Sequence, residues 1–66
     1  MKMFMVSAKW ENESFVPCVD EVEIVTNYND FFCDVKTKDN VVFEFVEKNR
    51  LFPTMEDAAA AINHLL

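Results

Sequence analysis

The sequence contains no glycine, and this absence excludes one large class of function at the outset. Loops that cradle phosphate groups depend on glycine, because a residue without Cβ lets the backbone approach the phosphate closely. The chain is also short, at 66 residues, for a domain that binds a cofactor and carries out a reaction on it. We therefore expect a single domain spanning residues 1–66 that is not an enzyme and that uses no cofactor.

Positive charge is scarce as well. Six basic residues stand against 12 acidic ones, which gives a net charge of −6. Nucleic acid needs lysine and arginine to neutralise its phosphates, so direct nucleic-acid binding is not expected. The excess of carboxylates indicates instead a partner protein with a basic surface, or only a role in solubility.

Long hydrophobic runs are absent, although the apolar fraction reaches 52% and includes seven phenylalanines. No segment is long enough to span a bilayer, so no membrane association is expected. The composition is at the same time too apolar for a disordered acidic tail. We expect a small folded domain whose phenylalanines largely fill its core.

Cysteine is limited to Cys18 and Cys33, whereas small secreted domains usually carry four or more cysteines. The strand register derived below separates the two by about 20 Å, which is beyond the reach of a disulfide. Both are predicted to be reduced thiols in a cytoplasmic protein. Together with His64 they show no recognised spacing for a metal site or for thiol catalysis.

The hydrophobic pattern predicts four strands followed by one helix. Segments 2–10, 15–26, 31–37 and 41–47 alternate or are rich in β-branched and aromatic residues, with polar turns between them. The period then changes to that of a helix, for which Thr54 is a suitable N-cap. The predicted fold is α+β: a small antiparallel sheet of three to four strands with one C-terminal helix packed on one face.

Two hairpin loops set the predicted register. A four-residue loop, 27–30, pairs Thr26 with Phe31 and places Ile24 opposite Cys33. A three-residue loop, 38–40, needs a left-handed residue at its third position, which asparagine tolerates better than most residues.

The second loop places Val35 opposite Phe43 and Cys33 opposite Phe45. An alternative two-residue loop would move a whole set of side chains to the other face. The preferred register assigns eight apolar residues to a core face covered by the helix: Val22, Ile24, Phe31, Cys33, Val35, Val41, Phe43 and Phe45.

The outer face of this predicted sheet carries a row of carboxylates across three strands, formed by Glu23, Asp34 and Glu44. We refer to it as the carboxylate row. Like charges opposite each other destabilise a sheet, so packing gives no reason for the row. It is either a solvated surface or a docking site for lysine and arginine on a partner.

Three further residues complete the predicted partner-binding surface. Glu21 adds charge beside the carboxylate row, and Phe32 on the neighbouring row supplies an apolar anchor. Tyr28 at a loop tip is a suitable contact residue, because tyrosine is enriched at interface hot spots. The predicted surface therefore comprises Glu21, Glu23, Asp34, Glu44, Phe32 and Tyr28.

In its size, its acidity and its lack of catalytic motifs, the chain resembles the small phage-encoded inhibitors of host defence, of the anti-CRISPR and DNA-mimic kinds. The resemblance implies a non-catalytic protein, acting in the host cytoplasm, that blocks the nucleic-acid-binding surface of an effector protein by presenting carboxylates where phosphates would lie. A different function is also compatible with the pattern. The outer face of the sheet could form a homodimer, which would make the chain an assembly module.

Overall fold

The computed structural model describes residues 2–65, and the side chains of residues 2–64. The elements follow one another as β1 (Lys2–Glu11), β2 (Ser14–Asn27), β3 (Phe32–Thr37), β4 (Val42–Glu47), a 3₁₀ turn (Lys48–Arg50), β5 (Leu51–Phe52) and α1 (Met55–Leu65). The strands form one sheet of order β4-β3-β2-β1-β5, in which all neighbours are antiparallel. The predicted α+β class, with a C-terminal helix on an antiparallel sheet, is confirmed. The fifth strand is only two residues long and leaves no periodic signal in the sequence.

The order of the strands requires the sheet to curl. β4 and β5 lie at its opposite edges, yet only the three residues Lys48–Arg50 join them. Five flat strands would separate those edges by about 19 Å, at roughly 4.8 Å per strand. A 3₁₀ turn of three residues advances only about 6 Å. The two edges therefore approach each other, and residues of β1 and β4 line a common groove.

The core lies inside this curl, and all five strands contribute to it. Its buried members are Met5 from β1, Val22 from β2, Cys33 and Val35 from β3, Val46 from β4 and Leu51 from β5. Met3 and Ile24 are partly buried against them. Because the sheet covers its own concave face, the core needs no helix to close it.

The helix instead packs on the convex face of the sheet, against β1, β2 and β5. Ala58 is fully buried there, although it lies outside the core cluster. Successive strand residues point to opposite faces, so Phe4 and Val6 lie on the convex side while Met5 points into the core. The prediction that the helix covers Val22 and its neighbours was wrong, because β1 is apolar on both faces and the helix covers the second one.

The start of the helix was predicted correctly. The backbone N–H of Asp57 donates a hydrogen bond to Thr54 Oγ1 at 3.1 Å, which makes Thr54 the N-cap. Glu56 and Asp57 occupy the first turn, where the helix dipole favours negative charge. His64 lies in the last turn, where that dipole favours a positive charge.

The register of β2 against β3 differs from the prediction by two residues. Ile24 lies opposite Val35 rather than Cys33. The side chain of Asn29 accepts hydrogen bonds from the backbone N–H groups of Phe31 (2.8 Å) and Phe32 (2.9 Å). This local turn holds Phe31 outside the strand, and the loop closes later than the alternating pattern implied. An irregularity between Ile24 and Thr26 shifts the register further.

The hairpin between β3 and β4 begins as predicted. Val35 lies opposite Phe43, and Asn40 adopts the left-handed conformation with φ of 64°. Beyond Val35 the prediction fails, because Cys33 lies opposite Val46 instead of Phe45. Four residues assigned to the core are exposed, namely Phe31, Val41, Phe43 and Phe45, and this shift accounts for Phe45 among them.

A candidate partner-binding surface

A β-bulge in β4 determines which side chains reach the surface. Cys33 pairs with Val46 and Val35 pairs with Phe43, so the single residue Asp34 faces two residues of β4. The extra residue reverses which side chains of β4 point towards the core and which point to solvent beyond it. Val46 is therefore 5% exposed and part of the core, whereas Phe45 is 61% exposed.

Asp34 holds the bulge together. Its side chain is buried, and its Oδ1 accepts a hydrogen bond from the backbone N–H of Phe45 at 3.0 Å. Its Oδ2 accepts a second hydrogen bond from the hydroxyl of Tyr28 at 2.5 Å. Both carboxylate oxygens are thus satisfied, as a buried charge requires. The hydrogen bond to Asp34, helped by partial burial and by the charges of Asp34 and Glu44, raises the pKa of Tyr28 to about 12.

Tyr28 and Phe45 stack on each other beside this carboxylate. Their ring centroids are 4.8 Å apart and their planes differ by 12°. We name this pair the aromatic platform. Tyr28 remains 46% exposed, so a large part of both rings faces solvent. The hydroxyl of Tyr28 and the backbone N–H of Phe45 are both bound to Asp34, which holds the ring of Tyr28 beside the backbone of Phe45.

The carboxylate row does not form, which corrects the geometry predicted from the sequence. Asp34 is buried and bonded instead of exposed, and Glu23 lies opposite Lys36. Glu44 is exposed at the platform. The shifted register and the bulges separate the three carboxylates that regular hairpins would have aligned.

Glu21 lies in a different environment from the one expected. Its carboxylate forms salt bridges with Lys2 and Lys38, each at 3.2 Å. The two lysines lower the pKa of Glu21 through hydrogen bonds and charge. Glu21, Glu23 and Lys36 line one small groove with these two lysines, so this part of the surface is not strongly anionic.

The structure therefore brings together three of the six predicted residues, Tyr28, Asp34 and Glu44. Phe32 is 38% exposed and lines a separate groove with Phe31. The residue that sequence reasoning missed is Phe45, because a regular strand would bury it. One signal was available: Asp34 interrupts an apolar strand that the core requires, and a buried carboxylate needs donors that a bulge can supply.

A groove extends from the platform along the seam between the two edges of the curled sheet. It has a volume of about 360 Å³. Phe43, Glu44 and Phe45 line one side, while Asp20 and Arg50 are among the residues of the opposite side. The Nε of Arg50 donates a hydrogen bond to the carbonyl oxygen of Val6 at 3.1 Å, which anchors its guanidinium to β1.

Neither cysteine has the surroundings of a catalytic thiol. Cys33 lies in the core, and burial raises the pKa of its thiol. Cys18 Sγ shares a hydrogen bond with Ser7 Oγ at 3.1 Å. Both are free thiols. Within residues 2–65, no three histidine, cysteine or acidic side chains are grouped so that they could hold a metal ion.

Comparison with known proteins adds no functional assignment. No family model matches the chain, and neither a curated protein nor a solved structure shows significant similarity to it. In the part of the chain that the structure describes, no helix has the length and apolar character needed to cross a membrane.

Proposed function

We propose that this chain is a small non-catalytic binding protein whose aromatic platform anchors a partner protein with a basic surface. The observation that carries the proposal is the position of Phe45. A bulge and a buried carboxylate hold this ring in solvent, next to Tyr28, where it contributes little to the core. Exposed aromatic residues are typical of interface anchors.

The backbone conformation of Phe45 supports the hypothesis that the platform has a function. Its φ of 53° lies in the left-handed region, which is uncommon for a bulky residue. Such conformations cost of order 1–3 kcal/mol and are concentrated at functional sites. A regular strand would avoid this cost. The strain therefore favours a role for the exposed ring that is separate from folding.

The distribution of charge supports a basic partner. Three lysines (Lys2, Lys36 and Lys38) and two acidic residues (Glu21 and Glu23) line the groove of Glu21. The net negative charge therefore falls on the rest of the chain, which carries ten acidic and three basic residues. This remainder includes the platform with Glu44 and Asp34. Such a field attracts cationic surfaces and repels nucleic acid.

A capture experiment with matched variants tests the proposal. The immobilised wild-type protein, Phe45→Asn and Phe15→Asn are exposed to a bacterial lysate and washed with rising salt. Phe15 is a suitable control because it is 70% exposed on the β1–β2 hairpin. We expect a protein retained by the wild type and by the control, lost with Phe45→Asn, and released by salt. If no captured protein distinguishes the two variants, the proposal is wrong.

The finer form of the proposal is inhibition by occlusion in the cytoplasm, as in the phage-encoded inhibitors that the sequence resembles. The captured protein would then use the covered surface to bind nucleic acid. Titration of the purified partner with labelled DNA or RNA, with and without this protein, tests this form. Competition supports occlusion, whereas simultaneous binding of both contradicts it.

Self-association is the second candidate function. It is favoured by the edge of β4, which among the described residues 2–65 pairs only with β3, and by exposed apolar residues along that strand. The bulge and the net charge oppose it. Sedimentation at rising concentration tests it: a dimer that Val42→Asp on β4 disrupts supports an assembly module, and a monomer at all concentrations excludes it.

A further inference from the structure

We propose that the aromatic platform binds the guanidinium group of an arginine side chain presented by the partner. This inference rests on the proposed function and specifies the chemical group that the same surface recognises. Three features of the structure carry it: an exposed pair of parallel rings, a free carboxylate beside the rings, and a buried carboxylate bonded to the hydroxyl of one of them.

The rings offer a flat surface for stacking. Tyr28 and Phe45 are nearly parallel, and Phe45 remains 61% exposed although one of its faces is covered by Tyr28. The faces of aromatic rings carry partial negative charge and attract cations at distances of up to about 6 Å from the ring centre. Hydrogen bonds to Asp34 hold the hydroxyl of Tyr28 and the backbone of Phe45, which reduces the conformational freedom lost on binding.

Charge around the platform favours a cation. Asp34 carries its charge at the hydroxyl end of the Tyr28 ring, and Glu44 is close enough for its charge to act on the hydroxyl of Tyr28. Glu44 is exposed and has no salt bridge within residues 2–65. The nearby Arg50 is anchored to the carbonyl oxygen of Val6. A cation from outside therefore meets the exposed face of one ring and the carboxylate of Glu44, while the buried charge of Asp34 acts from the hydroxyl end of the Tyr28 ring.

Arginine fits this arrangement better than lysine does. A guanidinium is planar and weakly hydrated, so it can stack on a ring while its edge donates hydrogen bonds to a carboxylate. The ammonium of lysine is a compact, strongly hydrated charge, so it is less able to stack on a ring while it donates hydrogen bonds to a carboxylate. An exposed platform should accordingly prefer arginine by about threefold or more.

Three short peptides test the inference directly. Acetyl-Gly-Arg-Gly-amide and its lysine and citrulline counterparts are titrated into the ¹⁵N-labelled protein and followed by NMR. Citrulline keeps the shape of arginine but lacks its charge. We expect saturable shifts at Tyr28, Glu44 and Phe45 with the arginine peptide, a dissociation constant at least about threefold weaker for lysine, and no saturation with citrulline.

Variants complete the test. Phe45→Asn should abolish the arginine-dependent shifts, whereas Phe15→Asn should retain them. Equal effects of arginine and citrulline, or shifts that persist in Phe45→Asn, would overturn the inference. A captured partner that depends on Phe45 while no arginine peptide binds refutes the inference and leaves the proposed function standing. Arginine binding without any Phe45-dependent partner supports the inference and refutes the proposed function.

Discussion

Asp34 shows how one side chain can determine both local structure and surface. A buried carboxylate is costly unless donors surround it, and here a phenol and a backbone N–H provide them. The second donor is available only because β4 bulges at this point. The sequence predicted Asp34 as an exposed contact residue. In the structure it is buried, and it supports the exposed residues Tyr28 and Phe45.

The substitution Asp34→Asn should destabilise the protein by about 1–3 kcal/mol, because it removes a charged acceptor from two partly buried hydrogen bonds. It should also return the pKa of Tyr28 from about 12 towards its ordinary value of 10.0. Urea denaturation and ultraviolet titration of the single tyrosine measure the two effects. An unchanged tyrosine titration would contradict the hydrogen bond to Asp34.

The sign of the pH dependence follows from the same bond. The pKa of Tyr28 is raised in the folded state, so its contribution to stability is complete below pH 10 and is lost as the pH rises towards 12. In the wild type, the free energy of unfolding should therefore fall over this range by more than it does in Asp34→Asn. Similar slopes in both proteins would show that the bond does not contribute.

Phe45 is predicted to be dispensable for folding. In Phe45→Asn, the loss of stacking on Tyr28 is offset by the better tolerance of asparagine for a left-handed backbone. The free energy of unfolding should therefore change by less than about 1 kcal/mol. A loss of about 3–5 kcal/mol, as expected when a core phenylalanine is removed, would place the ring inside the protein.

At the level of elements, the sequence predicts the features that depend on the preferences of single residues. The cap at Thr54 and the left-handed Asn40 follow from the preferences of single residues, and both are present. The register of β2 against β3 and the bulge in β4 depend on contacts between strands. The side-chain turn of Asn29 and the needs of Asp34 override the alternating pattern at these two places.

The face on which the helix packs can be tested by a matched pair of alanines. Ala58 is fully buried against the sheet, whereas Ala60 is exposed. We expect Ala58→Leu to destabilise the protein by about 1–3 kcal/mol through overpacking, and Ala60→Leu to change stability by no more than about 0.5 kcal/mol. Thermal or urea unfolding gives both values. Equal effects would mean that a different side of the helix contacts the sheet.

At the scale of the whole molecule, the sequence predicts the fold class but not the curl of the sheet. The α+β class follows from the change of period before Thr54. The curl does not, because it arises from a two-residue strand that joins the far edge of the sheet. With the sheet closing on itself, Val46 rather than Phe45 fills the core, and the helix is free to cover the outer side of β1.

The candidate surface was predicted only in part for the same reason. Tyr28 and Glu44 are exposed at the platform, but Glu21 and Glu23 share a groove with lysines. Lys2 and Lys38 come from distant parts of the chain, and only the folded sheet brings both to Glu21. Charge counted along the sequence therefore placed the anionic surface partly in the wrong position.

The role of the platform is tested most directly by the binding of a captured partner to Phe45→Asn, measured beside the wild type and Phe15→Asn at low salt. We expect Phe45→Asn to remain folded and to lose at least about tenfold in affinity, as for an aromatic hot spot, while Phe15→Asn binds as the wild type does. Equal affinities for the three proteins would contradict the claim that the platform is the binding surface.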